Sequence, residues 1–354
     1  MRLLQLYEAD ERGVVPANGG RICGLPDADS ATVRREVNGE YSMTVNLPAG
    51  AGHLNDVLDG QAIKATVNEQ GKEQFFIVQG RRRTLTGGME IYAEHQSYYY
   101  NGVVVTPFTG GPALYEHFLN RIRINSLPDL SGLATFSYAR AQNPQKTQLG
   151  PSTPQQLRSM LLDWLISNFG GELDFDGFNV TWRDRLGADR GVEFRYAANL
   201  LDMEAEDVTD GWASGILPYW GELGSTDKPY TTLPSPIYRY AGNYPREVIT
   251  PVDFTDAFDT QPSAAQLAQA AADYEALHAG PIPLSIRASR TRISGDKPID
   301  LGDTVRVVNG RWGVDARIRV MALTFDALRG RVKHVDLGTI SPGFPGSVAS
   351  LVTK

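Results

Sequence analysis

A mainly β fold of the α+β class follows from three features of the sequence. Short runs of alternating apolar and polar residues recur at close spacing, separated by Gly, Asn, Asp and Pro. Two pairs of these runs flank Asn38-Gly39 and Asp176-Gly177, the dipeptides that turn a hairpin most readily. Helical periodicity is confined to three segments.

The opening stretch, Met1 to Asp10, is too short and too acidic for a signal peptide and reads as a first strand, which implies a chain made and folded in a cytoplasm. Residues 33–48 read as a hairpin. A two-residue loop would set Tyr41 opposite Glu36. A three-residue loop, Asn38 to Glu40, pairs Val37 with Tyr41, Arg35 with Met43, Val33 with Val45 and Ala31 with Leu47. Only the second puts the apolar residues of both strands on one face, so it is the expected one, with Pro48 ending the ladder. Ala62–Val67 and Glu73–Val78 form two strands around Gly71, and Gly87-Gly88 separates Arg81–Leu85 from Met89–Tyr98. Strands this short at this spacing predict a barrel or sandwich.

Leu114, Phe118 and Ile122 make one helical stripe after Thr109-Gly110-Gly111-Pro112. A second helix is expected from Thr153 as N-cap, with Pro154 at the first position and Gln156 completing a capping box. Its face is Leu157, Leu161, Trp164, Leu165 and Phe169, and Gly170 stops it. Next comes a hairpin over Asp176-Gly177, pairing Phe175 with Phe178 and Leu173 with Val180, Trp182 continuing that side and Asp174, Asn179 and Thr181 taking the other. Residues 215–262 read as loop-rich, the kind of ordered loop that binds something. A third helix runs from Ser263, capped with Gln266, to His278 before Gly280-Pro281. Residues 282–340 return to β, with a tight turn at Ile299–Asp303, and the stretch from Ser341 reads as a flexible tail.

At 354 residues the chain exceeds the ~250–300 at which a single core stops growing, so several domains are expected. No run of ~18 apolar residues marks a membrane span. The single cysteine, Cys23, excludes an intrachain disulfide; it reads as a small part-buried residue with no histidine near it in sequence. A net charge of −7 disfavours a general nucleic-acid binder. The one basic run, Arg81-Arg82-Arg83, reads as a strand start that is solvated or faces an interface, rather than a DNA contact.

The segment Arg35-Glu36-Val37-Asn38-Gly39-Glu40-Tyr41-Ser42, followed by an apolar run and Leu47-Pro48, carries a family resemblance. So do, in order, Gln74–Val78, Ile91–His95 with Tyr98, and Gly170–Asp176. Arg185, Gly187, Asp189 and Gly191 continue it, then Tyr196 with Asn199-Leu200, Asp300–Val305 and Asp336–Gly338. Over about residues 25–340 the chain resembles the phage minor structural proteins, also called prophage tail endopeptidases or tail-associated lysins, whose N-terminal module is similar to a contractile-tail baseplate hub. The resemblance implies two barrel-like tube domains per subunit with inserted helical and peripheral segments. The first barrel would comprise 1–105 with a return near 196–235, the second 106–195 with 282–340, and 236–281 would be peripheral. It further implies a homotrimeric ring of pseudo-sixfold symmetry at the virion tail, between a distal tail-tube ring and tip or fibre proteins. DNA would pass it without specific binding, which the negative charge suits.

The label "endopeptidase" calls for a site, and the sequence supplies none. There is no H-E-x-x-H; Glu94-His95 and Glu116-His117 are isolated pairs, and His53, His95, His117, His278 and His334 are scattered. Gly211-Trp212-Ala213-Ser214-Gly215 holds its serine one place late for a nucleophile elbow. No phosphate-cradling glycine motif occurs. Asp174, Asp176, Asp184 and Asp189 cluster in sequence, but the first two are explained by a wet strand face and a turn. Long family members carry their lytic activity in an added C-terminal domain, so this chain is expected to be hub alone, with no catalytic, cofactor or metal residues. Interface candidates are Arg81, Arg82 and Arg83 and the run Tyr98, Tyr99 and Tyr100, which reads either as alternating core and surface positions on a strand or as a subunit contact. The rivals are a peptidoglycan endopeptidase and a host-receptor or carbohydrate-binding tip protein, and a gene-transfer or injection particle is the same class as a phage tail.

Overall fold

The computed structural model describes residues 2–338 apart from 17–19, 109–114, 141–150, 152, 167–169, 197, 208–212, 239–246, 256, 259, 279–283, 291–296 and 311–313. The expected tail from Ser341, the turn at Thr109–Pro112, Leu114 and Phe169 lie outside the described residues.

The N-terminal strands are β1 (Leu4–Tyr7), β2 (Arg21–Leu25), β3 (Ser30–Glu36), β4 (Tyr41–Leu47), β5 (Ala62–Thr66), β6 (Glu73–Arg83) and β7 (Met89–His95). Then come β8 (Val104–Val105), α1 (Tyr115–Ile124), β9 (Ser126–Leu127), β10 (Phe136–Ala139) and β11 (Gln155–Gln156). Helix α2 is an α turn, Leu157–Ser159, continued by a π turn, Met160–Leu165, and β12 (Glu172–Asp176) and β13 (Asn179–Arg183) follow it. The remainder is β14 (Asp189–Arg195), β15 (Leu200–Asp207), β16 (Gly215–Trp220), β17 (Thr231–Thr232), β18 (Ile237–Tyr238), β19 (Ile249–Asp253), α3 (Ala264–His278), β20 (Leu284–Arg290), β21 (Thr304–Asn309), β22 (Val314–Asp326) and β23 (Arg331–Leu337).

A sheet of 13 strands organises the chain, in the order β15-β20-β23-β22-β3-β4-β7-β6-β5-β1-β2, with β21 also on β22 and β14 beside β21. Period-two alternation builds it. Ala31 and Val33 of β3, Tyr41, Met43, Val45 and Leu47 of β4, and Met89, Ile91 and Ala93 of β7 are all buried on one face. They share a core with Leu6, Ile63, Phe76, Phe194, Val305, Leu323 and Phe325. Full burial of each large apolar side chain contributes about 1.5–3 kcal/mol. Among the described residues the sheet is open: β15 and β2 end the order and do not pair with each other, so barrel closure is not seen. The grouping also departs from expectation. The strands β20, β22 and β23 extend the sheet of 1–105, because β22 pairs with β3 (Val33 opposite Phe325, Arg35 opposite Leu323).

A second core gathers Tyr100, Leu119, Ile122, Leu157, Met160, Leu161, Leu165, Leu173, Val180 and Trp182 around the sheet β10-β13-β12. A third, smaller one packs Leu267 and Ala271 of α3 on Ile216 and Phe254. Here the described residues of the expected loop region 215–262 include a sheet of four strands, in which β16 pairs with β17, β18 and β19.

Both hairpins keep the expected faces and shift by one residue pair. In the first, Arg35 faces Tyr41 and Val33 faces Met43, leaving Val37–Gly39 as the loop. Val37 has left the ladder because its N–H donates to Met321 O at 2.9 Å, and Asn38 alone takes a positive φ, 51°. In the second, Phe175 faces Val180 and Leu173 faces Trp182, so the turn is Gly177-Phe178, with Gly177 at φ 61°. The expected capping box at Thr153 is absent. Gln155–Gln156 pair with β8, Leu157 N–H donates to Val103 O at 2.8 Å, and the helix starts only at Leu157. The box at α3 is present: Gln266 N–H donates to Ser263 Oγ at 3.3 Å and Ser263 N–H to Gln266 Oε1 at 2.9 Å.

Candidate functional site

The sequence-derived candidates fall at two places. Arg81–Arg83 do not start a strand; they end β6, which runs on through an irregularity at Gly80. Arg81 grips the neighbouring loop, donating to Asp59 Oδ1 at 2.8 Å and Val57 O at 2.7 Å, and Arg83 reaches Asn55 at 2.8 Å. Exposed Arg82 pairs with Glu90 at 3.0 Å. Tyr98, Tyr99 and Tyr100 sit in a 3₁₀ turn, Gln96–Gly102, instead of a strand. Tyr100 is buried, with its hydroxyl donating to Phe178 O. Tyr99 meets Phe178 edge-on at 6.1 Å. Tyr98 accepts the Tyr41 N–H at 3.3 Å and carries the Arg158 guanidinium 3.8 Å over its ring.

These tyrosines belong to a polar seam between the first two cores. Asn38, at the tip of the first hairpin, bonds the first strand of the second on either side of Glu172: Nδ2 donates to Gly171 O at 3.0 Å, and Leu173 N–H donates to Oδ1 at 2.9 Å. Arg158 of α2 donates to Gly39 O at 3.1 Å. Glu172 and Arg319 form a bidentate pair, their side chains 11% and 12% exposed; Glu172 also accepts Leu186 N–H at 2.6 Å, and Arg319 donates to Gly302 O and Leu186 O at 3.0 Å each. The turn at Asp300 ties in here. Asp300 receives Arg35 at 2.7 Å and Asn68 at 2.9 Å, while fully buried Asp303 accepts Ala188 N–H and Arg190 Nε at 2.8 Å each.

Buried His95 lies at the centre of this seam, stacked on Tyr41 at 4.1 Å. Its Nδ1 accepts Ser97 N–H at 3.3 Å, which leaves the proton on Nε2, 3.0 Å from Gln74 Oε1. Gln74 passes the connection on, taking Gly177 N–H at 2.9 Å on that same oxygen and donating to Asp176 at 2.6 Å. Burial, then the positive charges of Arg158, Arg35 and Lys72, hold the His95 pKa well below its ordinary value. Burial pushes the Tyr100 phenol up. Most of these polar groups bond another part of the chain, but Arg158 Nη1 is buried with no hydrogen-bond partner.

The carboxylates do not converge. Asp174 pairs with Arg183, Asp176 with Lys72, Asp184 with Arg140 and Asp189 with Arg317. Ser214 is buried and donates to Val248 O at 3.0 Å. The sequence also placed no histidine near Cys23, but the fold brings His53 and Asp56 to it. Among the described residues no helix is long and apolar enough to cross a membrane.

No protein-family model matches the sequence, and no curated protein matches it. Solved structures of tail proteins match it nearly end to end, three of them as follows. The prophage tail protein gp18 of Listeria monocytogenes EGD-e shares 14% identity and a TM-score of 0.58, over 97% of this chain and 96% of that one. A tail protein of Neisseria meningitidis MC58 shares 11% and 0.61, over 96% and 97%. The tail protein of prophage MuSo2 from Shewanella oneidensis shares 12% and 0.63, over 96% and 99%. The chain has the fold of a phage tail protein.

Proposed function

We propose that the chain is a structural hub of a phage tail or tail-like particle, three copies of which close a ring between the tail tube and the tip. The observation that carries this is the match to tail proteins over 96% or more of both chains. The sheet supports it in detail. It consists of two halves, β3-β4-β7-β6-β5-β1-β2 and β15-β20-β23-β22 with β21 and β14, joined where β22 pairs with β3. Three copies of a two-half sheet would present six walls, the number a sixfold tube needs, with heterologous contacts between copies closing the ring. The negative charge, −7 per chain, lets DNA slide through such a lumen without sticking.

Arg82, exposed like Arg81 and Arg83, lies on this proposed ring contact; Arg81 and Arg83, which clamp the neighbouring loop, and the three tyrosines are proposed to support it. Light scattering on the purified chain together with its tube-ring partner tests the stoichiometry. A mass with three hub copies is expected, and image reconstruction of the tail should place them around the axis. Copies outside the lumen, or in a number not divisible by three, would overturn the proposal. Zymography on host cell walls is expected to show no cleared band.

A further inference from the structure

We propose that Cys23, His53 and Asp56 form a binding site for a divalent cation of the zinc class. Each offers one donor atom, and the three atoms lie within 4.8 Å of one another. They come from two separate elements: Cys23 from β2, a strand at the end of the main sheet, and His53 and Asp56 from the loop between β4 and β5. His53 Nδ1 already stands 2.7 Å from Asp56 Oδ2.

Thiolate, imidazole and carboxylate together select zinc over calcium or magnesium, which take oxygen ligands alone. Tetrahedral zinc, with bonds of roughly 2.0–2.3 Å, separates its ligand atoms by about 3.3–3.7 Å, so small side-chain rotations bring these three into place. Three protein ligands leave the fourth position to water.

The loop is held in advance. Leu54 and Val57 anchor it in the core, Gly52 N–H donates to Asp27 at 3.0 Å, and Arg81 and Arg83 clamp Val57, Asp59 and Asn55. A nucleophilic role for Cys23 is disfavoured, because burial and then the Asp56 charge push the thiol up, opposite to what an attacking thiolate needs. A bound cation would instead take the thiol proton's place and pin the loop to the end strand of the sheet.

Because Cys23 is the single cysteine, the test is clean. The full-length chain, stripped with a chelator, is titrated with Co²⁺. One ion per chain is expected, with a thiolate-to-cobalt charge-transfer band and the intense visible bands of a tetrahedral site, both bleached by Zn²⁺. Cys23→Ser should abolish the charge-transfer band, His53→Ala should weaken binding by about tenfold or more, and His334→Ala should change nothing. In the wild-type chain, saturating Zn²⁺ should slow alkylation of Cys23 about tenfold or more, a readout that needs no variant to fold. A wild-type chain that gives no such band, a band that survives in Cys23→Ser, or alkylation indifferent to Zn²⁺ would each overturn the site.

Discussion

Acid should loosen this fold through His95 before the carboxylates whose pKa values are lowered take up protons. In the unfolded chain the ring has its ordinary pKa near 6.5 and takes a proton as the pH falls below that value. In the folded chain it is fully buried, its Nδ1 is occupied by Ser97 N–H, and Arg158, Arg35 and Lys72 oppose a further positive charge. The folded pKa is therefore depressed, and the unfolded state binds more protons. Stability is complete above about pH 7 and is lost as the pH falls. While the folded ring stays neutral, the loss is about 1.4 kcal/mol per pH unit, up to about 2 kcal/mol by pH 5. Asp10, Asp176 and Asp326, whose pKa values are lowered, add their own losses closer to their ordinary range near 4, so pH 5–7.5 is the informative window. Urea denaturation across that window measures the slope in the wild type and in His95→Gln, which cannot titrate. The variant is expected to be less stable at neutral pH and flatter in its pH dependence. Parallel slopes in the two proteins would refute the assignment.

Glu172→Ala leaves the Arg319 guanidinium buried without its partner and should cost about 3–5 kcal/mol by urea denaturation; replacing both residues by apolar ones of similar volume should recover most of it. Gly187 has φ 70°, and a Cβ there would lie 2.1 Å from the Gly302 carbonyl carbon. Gly187→Ala is thus expected to abolish soluble expression or lower Tm by well over 5 °C, since even a 1 kcal/mol loss moves a domain this large by about 2–4 °C. Asn38→Gly tolerates the positive φ yet loses both bonds to the second hairpin, and should cost about 1–3 kcal/mol, read from the denaturation midpoint.

Local chemistry made some elements readable and long-range chemistry hid others. The alternation in β3, β4 and β7 set which residues face the core, and Ser263 with Gln266 announced α3. Neither hairpin's pairing followed from its own residues, because shifting both strands by one pair leaves the faces unchanged. What decided the first register was Met321, which takes the Val37 N–H from another part of the chain. The second helix lost its expected cap in the same way, to β8 and Val103. Tyr98–Tyr100 looked like strand because aromatic runs fit a pleat, but His95 caps Ser97 and turns the chain into 3₁₀ geometry. The convergence of Cys23 with His53 has no sequence signal: the residues belong to neither a motif nor a common element.

The seam between the first two cores explains why so much of the quoted sequence resemblance is polar or glycine. An apolar contact between two modules is tolerant of sliding, whereas a buried hydrogen bond left unmade costs about 1–3 kcal/mol. Asn38, Gln74, His95, Glu172, Asp300, Asp303 and Arg319 each make bonds that a shift of a single residue would break, and Gly187 and Gly302 let two backbones touch where any side chain would hold them apart. Such a seam fixes the angle between the modules more than it adds to stability. In a ring closed by repeating one contact, a small angular error per copy accumulates until the last contact fails. Under the proposed closure at three copies, a costly, directional joint is a gain, and the network around His95 and Glu172 is such a joint.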